Sequence, residues 1–344
     1  MTVRPIRSLV LTLFSVVLIC ACSKGNSGGD STTPLPANFA KGADVGWITE
    51  MEAEGRKFYS KDGVATEGIA LLKSLGMNTI RLRVWVNPNP AWNGQADVVA
   101  KAVRAKNLGM RVMIDFHYSD SWADPGQQTK PAAWAGLNFT DLNTALGRHT
   151  IDVLQALKAA GVSPEWVQVG NETNDGMLWP DGRASTQMVN YTQLVNTGYS
   201  AVKAVFPQAK VIVHVSNGWD LNLFTWNIGG LINNGAQFDV VGMSLYPTVT
   251  DWGARNAQCL ATMKEMVARY NKDVMIVEAG MPWDSPLESK AFLEDLIRKT
   301  ASVPGGRGLG VLYWEPLAYA NWKGYTLGAF DNGGKPTAAM EAFK

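Results

Sequence analysis

Eight short runs rich in valine, isoleucine and methionine, set at a nearly constant interval, constrain this 344-residue chain more than any other feature. They fall at Ala43–Val45, Thr79–Trp85, Arg111–Phe116, Trp166–Val169, Val211–Val215, Val240–Ser244, Val274–Val277 and Gly310–Trp314. From Asp44 to Val311 is 267 residues over seven steps, about 38 per step, which is room for one strand and one returning helix. Helical patterns occupy much of the intervening sequence, at Gly68–Leu75, Asp97–Asn107, Asp141–Ala160, Met188–Phe206, Gln258–Tyr270 and Ser289–Thr300. This alternation predicts an α/β fold with a parallel sheet, and eight repeats predict closure into a single (β/α)8 TIM barrel instead of an open, doubly wound sheet. The Gly-rich stretch Gly305 to Gly310 precedes a strand and does not open a helix after one, so it reads as a turn and not as a dinucleotide site.

The N-terminus reads as an address. Arg4 and Arg7 precede an uncharged, mostly apolar run from Leu9 to Ala21. That run is shorter than the ~20 residues of a membrane helix and suits a secretory signal. Its end, Ile19-Cys20-Ala21-Cys22, resembles the bacterial lipobox, in which a small residue precedes a cysteine that becomes lipidated. Cys22 fits that position, whereas Cys20 follows the bulky Ile19. The expectation is therefore a lipoprotein signal peptide over 1–21, a lipid on Cys22, a flexible Gly/Ser/Thr/Pro tether over 22–36 and one folded domain over 37–344. A plain signal peptide cut nearby is the alternative. An exported bacterial lipoprotein held at the outer membrane or cell surface follows, touching membrane only through its lipid, with a monomeric barrel. Past Cys22 only Cys259 remains, so no intramolecular disulfide framework is available to the fold.

Composition narrows the chemistry. Lysine plus arginine is 31 against 30 acidic residues, so there is no positive field to attract a phosphate backbone and nucleic acid is not an expected partner. Three histidines, His117, His149 and His214, are too few for a His-rich two-metal hydrolase. Thirteen tryptophans outnumber the nine tyrosines and the eleven phenylalanines, which is a surplus of flat stacking surfaces. In such barrels the functional groups sit where strands end. Here those positions carry Asp44 and Trp47, Trp85 and Asn87, His117 through Asp124, Asn171 and Glu172, Ser216 and Asn217, Tyr246, Glu278 and Trp283, and Trp314 with Glu315.

Glu172, after the fourth strand, and Glu278, at the end of the seventh, are 106 residues apart, close to three barrel steps. That places them across the mouth of the barrel. Hydrolysis of a glycosidic bond needs such a pair: one carboxyl to protonate the leaving oxygen, and one carboxylate to attack or to activate water. A separation of about 5–5.5 Å means retention through a covalent glycosyl-enzyme. The competing reading is that one glutamate pairs with Arg81 or Arg83 in a structural ion pair.

Asn-Glu after strand four with Glu at the end of strand seven resembles the clan of retaining glycosidases on (β/α)8 barrels. More specifically, Gly42-Ala43-Asp44-Val45, Arg81-Leu82-Arg83-Val84-Trp85, Asp115 through Gly126, Gly170-Asn171-Glu172 and Tyr313-Trp314-Glu315-Pro316 resemble glycoside hydrolase family 53, the endo-β-1,4-galactanases. The resemblance runs from about residue 40 to the C-terminus. It implies Glu172 as general acid/base, Glu278 as nucleophile and Asn171 at the sugar 2-hydroxyl next to it. It further implies Arg81 as the fixed charge that keeps Glu278 ionised, with His117 and Tyr246 lining the cleavage subsite. Asp44, Trp85, Trp283 and Trp314 complete the expected substrate contacts, since sugar rings present C–H faces that stack on indoles. The seventh strand departs from the family, reading Glu278-Ala279-Gly280-Met281-Pro282-Trp283 where members commonly have Thr-Ala-Tyr before Pro-Trp. No cofactor is required. A calcium ion, which the resemblance implies for some bacterial relatives, stays open, although no acidic cluster with a hard-cation loop pattern is evident.

The implied substrate is β-1,4-galactan, the side chain of pectin. Two alternatives remain: another barrel endo-glycanase, such as a β-mannanase or cellulase, and a non-catalytic surface glycan-binding lipoprotein on a decayed barrel. The presence of both glutamates speaks against decay.

Overall fold

A computed structural model describes residues 1–2 and 34–344. The signal segment, Cys22 and most of the tether lie outside the described residues. Leu35–Lys344 forms one compact unit. Its barrel strands are β1 (Ala40–Asp44), β2 (Thr79–Val84), β3 (Arg111–Phe116), β4 (Trp166–Val169), β5 (Lys210–Val215), β6 (Val240–Leu245), β7 (Asp273–Ala279) and β8 (Gly308–Trp314). All run parallel, and β1 pairs both with β2, Asp44 opposite Arg81, and with β8, Asp44 opposite Trp314, so the sheet closes. The expected barrel is thus observed.

Among the described residues eight α-helices surround it: α1 (Ile48–Ala53), α2 (Gly68–Ser74), α3 (Gln95–Asn107), α4 (Phe139–Ala159), α5 (Ala184–Val205), α6 (Leu221–Asn233), α7 (Trp252–Tyr270) and α8 (Pro286–Ala301). Two of them, α1 and α6, have no counterpart in the periodicity. The first is six residues long, too short to show a repeat. The second carries Gly229-Gly230 and asparagines where strong helix formers would otherwise stand. Packing explains the glycine: a Cβ at Gly229 would come within 2.7 Å of the Tyr270 hydroxyl, so its absence lets α6 close on α7. The side chain of Asp220 caps the helix by accepting from the Leu223 N–H at 3.1 Å. The glycine-rich stretch before β8 is only half a turn. Pro304–Gly306 is a 3₁₀ turn with Gly305 and Gly306 at positive φ, whereas Gly308 and Gly310 already belong to the strand.

Side chains alternate along each strand between the helix layer and the barrel axis. Ile80, Leu82, Ile114, Val167, Val213 and Val241 belong to the main core beneath the helices. The axis is filled by Ala40, Met113, Trp166, Ile212, Val240, Met275, Val277 and Leu312. Toward the strand C-termini the axial positions turn polar: Asp44, Arg81, Arg83, Asp115, Gln168 and His214 are all completely buried. An apolar plug beneath a charged layer means that the mouth is supported by buried ion pairs, whose desolvation is offset by the several opposite charges and hydrogen bonds around each group. Among the described residues Cys259 is the one cysteine, buried on α7, and burial pushes its thiol up to about 12. Melting temperatures measured with and without dithiothreitol are expected to coincide; a drop of several degrees in reductant would show a disulfide that this fold does not use.

Candidate active site

The polar layer opens into a cleft of about 630 Å³ at the C-terminal ends of the strands. Glu172 and Glu278 both line it, and the route by which each arrives differs. Glu278 is part of β7 and stands opposite Ser244 of β6, next to a register shift between Met243 and Ser244 that re-aims the strand ends. Glu172 lies past β4 in a tight turn, with φ +83° at Gly170 and +44° at Glu172. A glutamate in the left-handed region costs about 1 kcal/mol or more, a strain that clusters at functional turns. Tyr118 and Glu315, just past β3 and β8, share this conformation at +51° and +47°.

Arg81 holds the nucleophile candidate. One guanidinium nitrogen contacts Glu278 Oε1 at 2.9 Å and Asp44 Oδ2 at 2.9 Å, while the other contacts Asp115 Oδ2 at 2.8 Å and Asn171 Oδ1 at 3.0 Å. The Tyr246 hydroxyl donates to Glu278 Oε2 at 2.9 Å, so both carboxylate oxygens are engaged. Burial lifts Glu278 above the ordinary carboxylate range, and Arg81 pulls it back. Burial works against ionisation of Asp115 as well, but Arg81 and then His117 outweigh it and hold that carboxyl low. The charge of Arg81 itself is secured by Asp115, Glu278 and Asp44 against the cost of its burial.

Glu172 sits in a different field. Burial, and next the charge of Glu278, push its carboxyl up to about 8. Ser244 donates to Glu172 Oε1 at 2.6 Å and is in turn 2.7 Å from His214 Nε2. His214 Nδ1 accepts the Glu172 backbone N–H at 3.3 Å. With the proton on Nε2 the imidazole donates to Ser244, and burial and then Arg81 hold it neutral, well below the usual histidine value. A chain from His214 through Ser244 therefore orients the carboxyl of Glu172. Both carboxyls are pushed up, and Arg81 and the Tyr246 hydroxyl, which engage both oxygens of Glu278, favour the negative charge there and the proton on Glu172.

The remaining expected residues fall into three groups. Trp85, His117, Asn171, Tyr246 and Trp314 line the cleft with the two glutamates. Asn171 turns its amide nitrogen to the Ala123 carbonyl at 2.8 Å, and His117 is held between Asp115 at 3.0 Å and the Ala123 N–H at 3.2 Å. Asp44 and Arg81 have no exposed surface and act on the mouth from beneath. Both oxygens of Asp44 are engaged, by Arg81, Arg83 and the Gly46 N–H, and its complete burial keeps it from facing a sugar. Trp283 stands half-buried on the loop after β7, outside the cleft lining. Met281, where the family commonly has tyrosine, is buried in the core with its N–H on the Tyr313 hydroxyl, so that substitution faces away from the cleft.

Sequence reading missed Ser244, Gln168, Trp92 and Tyr325. The last two line the cleft. Gln168 bridges Arg81 at 3.0 Å and Asp115 at 2.5 Å, and like Ser244 it looked like an ordinary polar residue of a strand. The signal that could have found both is their inward alternation two to four residues before a motif residue, on the same strand faces as Glu172's neighbours. Among the described residues no group of three or more His, Cys, Asp or Glu side chains is placed to hold a metal ion, so the acidic residues present do not form a fitting calcium site.

Comparison with known proteins gives the family. An arabinogalactan endo-β-1,4-galactanase of Thermothelomyces thermophilus is 32% identical over 297 residues, covering 80% of this chain and 89% of the relative. An arabinogalactan endo-β-1,4-galactanase of Cellvibrio japonicus is 31% identical over 334 residues, covering 88% and 86%. A solved structure from a study of two fungal β-1,4-galactanases superposes with a TM-score of 0.82 at 30% identity, covering 88% of this chain and 98% of that one. The sequence profile of glycosyl hydrolase family 53 matches residues 40–343, which is nearly all of the barrel. This chain belongs to glycosyl hydrolase family 53.

Proposed function

We propose that this chain is a retaining endo-β-1,4-galactanase that cleaves β-1,4-galactan by double displacement. The observation that carries the reading is the unequal treatment of two carboxyls in one cleft. Glu278 is gripped by Arg81 and Tyr246 on both oxygens, as a nucleophile must be, while Glu172 is pushed up to about 8 and stays protonated at neutral pH, as a general acid must. In the first step Glu278 attacks the anomeric carbon and Glu172 gives its proton to the leaving oxygen; in the second, water deprotonated by Glu172 releases the sugar from Glu278. Asn171, His117 and the tryptophans position the sugar.

The test is reducing-sugar release from unbranched β-1,4-galactan set beside mannan, carboxymethyl-cellulose and xylan, with the anomer formed first read by proton NMR. Galactan cleavage giving the β-anomer first is expected. Cleavage of mannan or cellulose instead would make this another barrel endo-glycanase, and binding of galactan without cleavage would make it a glycan-binding protein.

We also propose that Cys22 bears lipid and anchors a monomeric enzyme at the outer membrane or cell surface, supported by the lipobox-like Ile19-Cys20-Ala21-Cys22 after an apolar run. No helix among the described residues is long and apolar enough to cross a membrane. A single anchored chain then predicts that wild type fractionates with membranes and Cys22→Ala does not; a variant still membrane-bound would remove the lipid from the account.

A further inference from the structure

Four tryptophans on the floor of the cleft are supplied by four separate places in the chain: Trp47 after β1, Trp85 after β2, Trp122 after β3 and Trp314 at the end of β8. They stand at the C-terminal ends of four neighbouring strands, β8, β1, β2 and β3. What they share is a centre. The guanidinium carbon of Arg83 lies 5.2, 5.7, 4.6 and 5.8 Å from the ring centroids of Trp47, Trp85, Trp122 and Trp314. The rings meet edge to face, with Trp47 and Trp314 at 5.0 Å and 70° and Trp85 and Trp122 at 5.1 Å and 83°.

Arg83 is completely buried and touches none of the cleft space itself. One of its nitrogens bonds Asp44 and Glu315, while Nε and Nη2 have no hydrogen-bond partner among the described residues. A buried N–H without an acceptor is costly, and the indole faces around it are the remaining electron-rich groups that offset that cost. Glu315, bonded to Arg83, also accepts the backbone N–H of Trp47 at 3.0 Å, which ties the first ring's backbone to the same centre. The chain must pass directly over the guanidinium to do this: a Cβ at Gly46 would lie 2.3 Å from its central carbon. Arg81 and Arg83, on one strand face, thus have divided tasks, one at the nucleophile and one at the aromatic floor.

We infer that Arg83 is the positioning residue of the sugar-stacking floor: it sets the tilt of four indoles and so controls how tightly the polysaccharide is held, without acting on the bond that breaks. The inference rests on the reading of the cleft as a polysaccharide site. Arg83→Lys keeps a cation for Glu315 and loses the planar faces that the rings pack against. In a variant with wild-type far-UV circular dichroism, KM for galactan is expected to rise about tenfold while kcat falls less than about threefold, with a changed near-UV spectrum as the indoles reorient. Combined with Trp122→Phe, the two effects on KM are expected to be non-additive, because both disturb one cluster.

Unchanged KM and near-UV spectrum in a folded variant would overturn the inference, and so would a loss confined to kcat, which would mean that Arg83 acts through Asp44 and Arg81 on Glu278. Should Arg83→Lys not fold, Glu315→Ala removes the acceptor shared by Arg83 and the Trp47 N–H, and the same split with a smaller KM rise is expected; no change in either readout again overturns it. The near-UV arm needs no substrate, so it decides the role of Arg83 even if wild type proves not to cut galactan.

Discussion

Replacing Glu278 by alanine is expected to abolish hydrolysis of galactan and of aryl β-galactosides alike, lowering kcat by at least about 10⁴-fold. The loss should not depend on the leaving group, because without this carboxylate no covalent intermediate forms on any substrate. Folding should survive: Arg81 keeps Asp44 and Asp115 as partners at 2.9 and 2.8 Å, so its buried charge is not left alone. The variant also offers a stereochemical check. Azide is small enough to occupy the space of the missing carboxylate, and with an activated aryl β-galactoside it should attack the anomeric carbon in one displacement, forming the α-galactosyl azide and expelling the phenolate. Near-normal galactan turnover by Glu278→Ala would mean that the pair named here is wrong whatever the fold, and a β-azide would place the nucleophile elsewhere.

The barrel was legible because its strands are short apolar runs that end in polar motifs, a pattern that only strand-end functional sites produce eight times over. The two glutamates of the cleft were legible for the same reason, since Glu172 and Glu278 interrupt apolar context at a strand end. What stayed hidden depends on register and packing. Ser244 becomes a partner of Glu172 only because β6 and β7 shift register beside it, and Gln168 bridges Arg81 and Asp115 only because β2, β3 and β4 face one axis. Their inward alternation ahead of a motif residue marks a position in the barrel, and not the partner that the register supplies. Helix α6 was hidden because its glycine, unfavourable to a helix alone, is required by Tyr270 of the next helix. The burial of Asp44 was hidden because a strand-end aspartate looks the same whether it faces a sugar or two arginines.

Replacing Glu172 by alanine should separate the two halves of the reaction. Galactan, whose leaving group is a sugar hydroxyl, needs the proton that Glu172 supplies, and general acid assistance of this kind is worth about 10²–10⁴-fold. Hydrolysis of galactan is therefore expected to fall by that factor. An aryl galactoside with a good leaving group needs no proton, so its first step should proceed and the glycosyl-enzyme on Glu278 should accumulate as an initial burst. Azide, which requires no general base, should then restore turnover and yield the β-galactosyl azide, retention by two displacements, opposite in configuration to the product expected from Glu278→Ala. The pH dependence follows from the sign of the shift. Glu172 is raised to about 8, so it is protonated through neutral pH, and the acid is lost as pH rises through that value. Wild-type kcat/KM on galactan should accordingly have an alkaline limb near pH 8, and the first step of Glu172→Ala on the aryl substrate should lack it. An alkaline limb that persists in the variant would assign that titration to another group. Failure of azide to accelerate turnover would deny Glu172 the acid/base role, even with Glu278 confirmed as the nucleophile.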